Sequence, residues 1–305
     1  MLELIIKSVG YMILIALAYL LKKFGIFVQK DKDVLGKMLM YITLPCAFIA
    51  NFKNFTNDIS MIYFFMIGLM VNIFMIYIGY FASMKRDGST RAMYMIECSG
   101  YNIGAFTTPF LSSFLPAEAL VISSLFDIGN SVMAVGGVYP LARGKIDHGR
   151  SSHNNVVKNF FLKLLQSVPF DTYIIMLVIS LIGIRLPSEV NKVASMIGTT
   201  SIIITMIMIG ITFEVNIIKE DMLDIFKILI IRYVAGFFIG IAIWNIFDFS
   251  YLAKKVLIIC ILAPVTSISP NFCNLCRCKT SVYGAVSSLT VPVSLILFII
   301  LMHIL

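Results

Sequence analysis

The chain alternates long apolar runs with short polar interruptions along its whole length. A helix needs about 20 predominantly apolar residues to cross the hydrocarbon core of a bilayer. Ten runs reach or approach this length, and the pattern therefore predicts an all-α integral membrane protein with ten transmembrane helices. The predicted segments are Leu4–Leu21, Val34–Asn51, Ile59–Ser83, Ala92–Leu115, Ala119–Leu141, Phe170–Leu186, Val193–Phe213, Leu223–Phe247, Leu252–Cys276 and Ser281–His303.

Composition narrows the functional class. Of the 305 residues, 59% are hydrophobic and 13% are charged, and the mean hydropathy is +0.95. Ten spans leave no room for a soluble catalytic domain of ordinary size. The chain also has no nucleophile elbow, phosphate loop or nucleotide-binding fingerprint. We therefore expect neither an enzyme nor a cofactor.

The net charge of +8 predicts an orientation rather than a nucleic-acid partner. With ten spans, both termini and four loops share one side of the membrane. That side carries six basic residues, and the other side carries the remaining 18 of the 24 Lys and Arg. The positive-inside rule then places both termini outside and the basic side in the cytoplasm, where it contacts anionic lipids of the plasma membrane.

The longest polar stretch, Arg143 to Ser167, divides the predicted spans five and five. We predict a first five-helix repeat at 1–141, a basic cytoplasmic linker at 142–168 and a second repeat at 169–305. An odd number of spans inserts the two repeats in opposite orientations, as in inverted-repeat transporters. Within the linker, residues 154–165 have the apolar face of an amphipathic helix, which either rests on the inner leaflet or regulates the protein.

In each predicted repeat, the fourth of the five spans is interrupted by polar residues together with Gly or Pro. The fourth contains Gly100, Asn102 and Gly104, followed by Thr107-Thr108-Pro109, and the ninth contains a polar stretch from Pro264 to Asn271. A helix breaks inside a membrane only where protein or a wet cavity satisfies the freed backbone groups. The matched breaks therefore predict a binding cavity, whereas a single break would indicate a plain kink.

The candidate substrate-binding residues come from these interruptions, together with a proline of the second span that either lines the cavity or only kinks its helix. Because the sequence near the breaks contains no basic residue, half-helix dipoles are expected to favour an anion. The candidates are Pro45, Asn102, Gly104, Thr107, Thr108, Pro109, Pro264, Thr266, Ser267, Ser269, Pro270 and Asn271.

Ionisable residues inside a membrane are functional candidates because they are costly to bury. Asp127 lies in the fifth span with Asn130 nearly one turn later, and Glu97 precedes the first break. These three residues are candidates for proton or ion coupling, the alternative being a packing role. Arg232, in the eighth span, either extends to the inner surface or serves as a counter-charge for an anion.

The cysteines indicate neither a disulfide framework nor a metal site. Cys273, Cys276 and Cys278 have a suggestive spacing, but no His or fourth thiol is adjacent in the sequence. Zn²⁺ normally takes four ligands, and thiols at a cytoplasmic end stay reduced. We therefore expect no metal.

Several short motifs, in order and at matching places in the ten spans, resemble the auxin efflux carriers, which include plant PIN proteins and bacterial malate permeases. The resemblance runs through nearly the whole chain. Thr107 and Cys273 depart from the family pattern, which usually has Gly and Ala there. The motifs are Leu44-Pro45, Asn102-Ile103-Gly104 with Pro109, Asp127-Ile128-Gly129-Asn130, Gly183-Ile184-Arg185-Leu186-Pro187 and Ala263-Pro264.

The resemblance implies a specific fold. It is the ten-span inverted-repeat fold with crossed broken helices four and nine that bile-acid transporters and sodium–proton antiporters share. In that fold helices one, two, six and seven form a scaffold that can dimerise, and the other six form a moving bundle. Substrate binds at the helix crossover, and alternating access follows from movement of the bundle.

The expected function is secondary transport of a small organic anion, a carboxylate such as malate or an auxin-like acid. The expected partners are this substrate, the bilayer, H⁺ or Na⁺ as a coupling ion, and a second copy of the chain. Two alternatives remain open at this point. One is a sodium- or proton-coupled carrier of the bile-acid type, and the other is a membrane receptor or sensor that does not transport.

Overall fold

A computed structural model describes residues 2–51, 61–146, 172, 175–176, 179, 182, 186–213 and 219–304. Within these ranges the regular elements are helices, and one isolated antiparallel bridge joins Tyr101 to Val265. The α-helices are α1 Leu2–Lys23, α2 Asp31–Met38, α3 Leu44–Asn51, α4 Met61–Ala82, α5 Gly88–Cys98, α6 Thr108–Phe114, α7 Ala117–Ser131, α8 Val138–Arg143, α9 Ser188–Gly198, α10 Thr200–Thr212, α11 Met222–Ile246, α12 Tyr251–Ile261, α13 Ser269–Leu275 and α14 Thr280–Ile304.

Five helical stretches in the described part of the chain are long and apolar enough to cross a membrane. They are Ile62–Ala82, Glu118–Arg143, Ser188–Ile211, Met222–Ile246 and Thr280–Ile304. The protein is therefore an all-helical, multi-pass membrane protein. The count of ten spans stays a prediction. Most of the predicted sixth span and the amphipathic part of the linker lie outside the described residues.

The chain forms two compact units, and each takes segments from both halves of the sequence. Unit 1 contains Met1–Ile59, Gly104–Ser124 and Leu164–Phe213, and unit 2 contains Ser60–Ile103, Leu125–Lys163 and Glu214–Leu305. Unit 1 thus includes the predicted first, second and seventh spans, as the resemblance implies for a scaffold. It also includes residues 104–124, which the resemblance assigns to the bundle.

Small residues hold the helices of unit 1 close together. A Cβ added to Gly198 of α9 would lie 2.6 Å from the Ala47 Cα of α3. A Cβ added to Gly210 of α10 would lie 2.4 Å from the backbone oxygen of Ile15 in α1. Such contacts suit membrane helices, whose association depends on close van der Waals packing.

Three prolines are each preceded by a short π-helical turn. The turns are Leu39–Thr43, Ile103–Thr107 and Val132–Gly137, and the prolines are Pro45, Pro109 and Pro140. Proline has no N–H, and its ring clashes with the carbonyl four residues earlier, so the helix widens locally. For Pro109 that carbonyl belongs to Ala105, and it accepts a hydrogen bond from the Thr205 hydroxyl at 3.5 Å.

A polar cap fixes the start of α5, the helix that leads into the first break. The Asp87 carboxylate accepts a hydrogen bond from the Thr90 backbone N–H at 3.0 Å. Hydrogen bonds from the side chain and backbone of Thr90 hold the pKa of Asp87 below its ordinary value. The carboxylate therefore stays ionised near neutral pH and caps the helix with its charge.

Candidate functional site

The first break begins where α5 ends at Cys98. Ser99 is extended, and Gly100 adopts a φ of +67°, a conformation that side-chain-bearing residues rarely take. A Cβ at Gly100 would also lie 2.9 Å from Thr266 Cγ2. Glycine is therefore required here, both for the turn and for the close approach of the second break.

The two breaks contact each other inside unit 2. The second lies between the end of α12 at Ile261 and the start of α13 at Ser269. Tyr101 pairs with Val265 in an antiparallel bridge, and the Asn102 N–H donates to the Pro264 oxygen at 2.9 Å. The two interruptions that were predicted separately thus form one structure.

Two asparagines supply the hydrogen bonds that the first break lacks. Asn130 of α7 accepts from the Tyr101 N–H and donates to the Tyr101 oxygen, both at 2.9 Å, as a neighbouring strand would. Asn72 of α4 accepts from the Gly100 N–H at 2.8 Å and donates to Asn130 Oδ1 at 3.1 Å. Asn130 also donates to Asp127 at 2.8 Å, so its amide is fully used.

Arg232 of α11 binds the carbonyl ends of both interrupted helices. Its guanidinium is buried and donates at 2.8 to 3.2 Å to five backbone oxygens, those of residues 97 to 100 and of Ala263. It also lies 4.6 Å from the centre of the Tyr101 ring. A cation is favourable there because carbonyls at helix C-termini carry partial negative charge.

Residues of α14 and α11 support the second break in the same way. The Thr290 hydroxyl accepts from the Val265 N–H at 3.3 Å, and the Ser294 hydroxyl donates to the Leu262 oxygen at 2.7 Å. The Tyr233 hydroxyl bonds Ser294 at 2.8 Å. The freed backbone groups of the second break therefore have buried partners, which is the condition for breaking a helix in a membrane.

Glu97 lies fully buried beside the second break. Its Oε1 accepts from the Ser269 hydroxyl and, at 3.4 Å, from the Cys273 thiol, both on α13. Its Oε2 accepts from the Ser287 hydroxyl of α14 at 3.4 Å. One carboxyl thus joins α5 to two helices from the other half of the chain.

Unit 2 brings together most of the candidate residues of the sequence analysis. Asn102 and Thr266 are half-buried, Ser267 and Asn271 are exposed, and Ser269 is buried against Glu97. The other candidates in this unit are Pro264, which is buried, Pro270, which is half-buried, and the coupling candidates Asp127, Asn130 and Glu97.

Unit 1 holds the remaining candidates. Thr107 and Thr108 are buried, and the Thr108 hydroxyl lies 3.3 Å from that of Ser123. Pro109 and Pro45 are buried after their π-helical turns, and Gly104 is half-buried.

Arg232 does not reach the inner surface, because its guanidinium is buried at the breaks. Its two terminal nitrogens bind carbonyls, while its buried Nε has no hydrogen-bond partner in the described structure. A role as counter-charge for an anion therefore stays a prediction. The breaks also have a positive charge that their local sequence lacks. Asn72, Tyr233, Thr290 and Ser294 were missed entirely. Their signal is weak in a sequence, since each is an uncharged polar residue inside a predominantly apolar span.

An all-helical, multi-pass protein whose two interrupted helices meet inside one unit has the architecture of membrane transporters. A family model described as a membrane transport protein matches residues 4–304. The chain belongs to this family, which is the auxin efflux carrier family that its motifs resemble, and it is a membrane transporter. No individual curated protein matches the sequence.

Proposed function

We propose that the protein is a secondary transporter that carries a small organic anion, a carboxylate such as malate or an auxin-like acid. The observation that carries this proposal is the contact of the two breaks around buried Arg232. Accessible amide and hydroxyl groups lie on the same backbone stretches. Together they offer hydrogen bonds and a positive potential to a carboxylate.

The charge of Arg232 supports an anion even though its two terminal guanidinium nitrogens already bind carbonyls. Electrostatic attraction is strong in a medium of low dielectric constant and needs no direct contact. By comparison, α6 and α13 have only seven residues each, so their dipoles are short. Arg232 is thus a stronger source of positive potential than the half-helix dipoles expected from the sequence.

Four of the candidate residues are best placed to bind the substrate. Asn102, Thr266, Ser267 and Asn271 are half-buried or exposed at the breaks. Ser269 is excluded from this group because its hydroxyl is used by Glu97. The candidates of unit 1 stay predictions, as do the coupling roles of Asp127 and Asn130. The contacts of Asn130 favour a structural role.

The proposal includes ten spans in two inverted repeats. This arrangement is supported by the spans from which the side chains that hydrogen-bond the breaks come. Asn72 lies in the predicted third span and Arg232 in the eighth, while Asn130 lies in the fifth and Thr290 in the tenth. Corresponding spans of the two halves thus make corresponding contacts, as repeats of one ancestral unit would.

We further propose alternating access, with one compact unit moving against the other. The scaffold helices would also join two copies of the chain in the plasma membrane. The division of the chain into two compact units supports this proposal, since rigid-body movement of one domain against another is a common switching transition.

A ligand screen followed by uptake tests the proposal. Carboxylates are first screened for thermal stabilisation of the purified protein, with and without sodium and at two pH values. Labelled malate and indole-3-acetate are then used for uptake and counterflow in proteoliposomes. Asn102→Ala is expected to abolish both fluxes while the protein still folds, because the backbone bond of residue 102 to Pro264 remains.

The matched control is Asn245→Ala, because Asn245 is exposed and its side chain bonds only within α11, to the Ile241 oxygen. This variant should transport normally. Undiminished flux in Asn102→Ala would contradict the site. Stabilisation by cations or neutral solutes, with no effect from any carboxylate, would contradict the substrate class.

A further inference from the structure

Glu97 is a buried carboxyl whose surroundings are made by three helices. The group is completely inaccessible, and its oxygens accept hydrogen bonds from Ser269, Cys273 and Ser287. An ionised carboxylate in this position is costly unless it is well solvated by the protein. A group of this kind inside a membrane protein is a candidate for reversible protonation.

The neighbouring atoms fit a proton better than a metal ion. Hard cations are held by several oxygen ligands, and Glu97 offers its two oxygens with the hydroxyls of Ser269 and Ser287. The third neighbour of the carboxyl is the Cys273 thiol, which is a poor ligand for hard cations. Soft metals are bound by several thiolates, and within the described residues Cys273 is the only thiol that contacts the carboxyl. A proton binds to one carboxyl oxygen and is stabilised when the resulting O–H group has a hydrogen-bond acceptor beside it. Glu97 provides the oxygen, and the neighbouring hydroxyl groups provide the acceptor.

Few charged groups face this carboxyl. Arg232 of α11 is the nearby cation, and it donates at 3.2 Å to the backbone oxygen of Glu97 itself. In the part of the chain that the structure describes, the other titratable groups near it are thiols, Cys98 on the same helix, Cys273 of α13 and Cys278 beyond α13. From α14 the contact is the uncharged Ser287 hydroxyl. The charge close to Glu97 is therefore set mainly by Arg232 and Glu97 together, and another acid near the breaks is Asp127, which accepts a hydrogen bond from Asn130.

We propose that Glu97 binds a proton together with the substrate anion, so that transport is proton-coupled symport. The inference rests on the proposed anion transport. A proton from water on one side converts the carboxylate to the acid and is released to water on the other side. With Glu97 neutral, the charge of Arg232 is uncompensated and attracts an anion; with Glu97 ionised, the pair is neutral and the anion is released.

Proton and anion binding are then coupled reciprocally. The coupling also limits the cost of moving charge, because a monoanion and a proton together carry none. Ser287 is half-buried, whereas Ser269 and Cys273 are buried, so the proton exchanges with water past Ser287.

The test compares the wild type with Glu97→Gln, which is isosteric and permanently neutral. Proteoliposomes are loaded with a pH-sensitive dye, the membrane potential is clamped with potassium and valinomycin, and protein-free liposomes correct for passive entry. With labelled malate or indole-3-acetate, the wild type should accumulate substrate about tenfold per unit of inward pH gradient, with proton entry. Glu97→Gln should retain counterflow but lose both accumulation and pH dependence.

Asp248→Asn is the matched control, since it neutralises an exposed acid of unit 2 that follows α11 and should keep the pH dependence. If Glu97→Gln does not fold, Ser287→Ala is used instead. Loss of this hydrogen bond to the carboxylate should move the pH midpoint of uptake upward by about 0.5 to 1 unit. An unchanged midpoint would overturn the inference.

The outcomes separate the two proposals. If counterflow in the wild type does not depend on the pH gradient, proton coupling is contradicted, whereas anion transport is not. If Glu97→Gln accumulates substrate with the same pH dependence as the wild type, Glu97 is not the coupling residue. Absence of binding and of counterflow in the wild type overturns anion transport, and the symport inference with it.

Discussion

At the scale of single residues, Arg232 decides how both breaks are stabilised. One planar guanidinium reaches five carbonyls on two chain segments, which a lysine ammonium with three donors and a different shape cannot do. The side chain is buried, so water cannot replace any lost hydrogen bond. Arginine is therefore needed here for its geometry as well as its charge.

Arg232→Lys should lower the free energy of unfolding by about 2 kcal/mol or more, because buried carbonyls would lose their donors. The measurement is thermal or chemical unfolding in detergent. Lys227→Ala, at an exposed position of the same helix, is the control and should change stability by less than about 0.5 kcal/mol. Equal stability of Arg232→Lys and the wild type would show that charge alone suffices.

The breaks could be predicted from residues, but their partners could not. Gly100 and Pro264 interrupt apolar runs, and these local signals are visible in the sequence. Asn72 and Arg232 act across more than 20 residues of chain, and their contacts depend on which helices pack together. A hydropathy profile shows such a residue only as a polar position in an apolar segment and does not show its partner. Asn130 was found for its position beside Asp127, while its contacts with Tyr101 indicate a different role.

At the scale of helices, glycine contacts determine how closely neighbouring elements approach. A Cβ on Gly129 of α7 would lie 2.0 Å from the Phe65 oxygen of α4, and one on Gly68 of α4 would lie 2.2 Å from the Phe126 oxygen of α7. The two helices thus press backbone against backbone at two points. This contact places Asn72 and Asn130 side by side.

Gly129→Ala should destabilise the protein by about 2 kcal/mol or more, because the added methyl has no space and the backbone has to move. Gly284→Ala is the matched control, since nothing lies within 4 Å of a Cβ there. In the second turn of α14 this change should be neutral or stabilise the protein by up to about 1 kcal/mol. Unfolding curves of the two variants test the difference, and similar effects would contradict the close contact.

Helix positions follow well from hydropathy, whereas their internal irregularities do not. Proline marks each π-helical turn, but the sequence also has Pro292 inside α14, where no such turn forms. Whether a proline widens a helix depends on neighbours that can satisfy the freed carbonyl, as Thr205 does for Ala105. That information belongs to the packing between helices.

At the scale of the whole molecule, charge asymmetry sets the expected orientation, while packing sets the division into units. The predicted repeats follow the order of the chain, and the compact units combine segments from both repeats. Hydropathy gives spans and their order but contains no information on which spans pack together. The sequence therefore predicts spans and their order, and it does not predict the division of the chain into compact units.

The orientation is tested by labelling single introduced cysteines in intact cells with a membrane-impermeant maleimide. Glu189 is exposed at the start of α9 and should lie outside, so Glu189→Cys should react. Lys145 is exposed after α8 and should lie in the cytoplasm, so Lys145→Cys should react only after permeabilisation. Labelling of the wild type measures the background from the native thiols. The reverse labelling pattern would show that the topology is the opposite of the predicted one.

The single charge of Arg232 has a consequence for transport in an energised cell. It is fixed in unit 2, and on the proposed mechanism it moves with that unit through the electric field of the membrane. An elementary charge that crosses the full field gains or loses about 2.3 kcal/mol per 100 mV. When Glu97 is ionised it cancels the charge of Arg232, and when Glu97 is protonated a bound monoanion cancels that charge instead. The membrane potential would then act on neither half of the cycle with a monoanion, whereas a substrate with two negative charges would carry one uncompensated charge through the field.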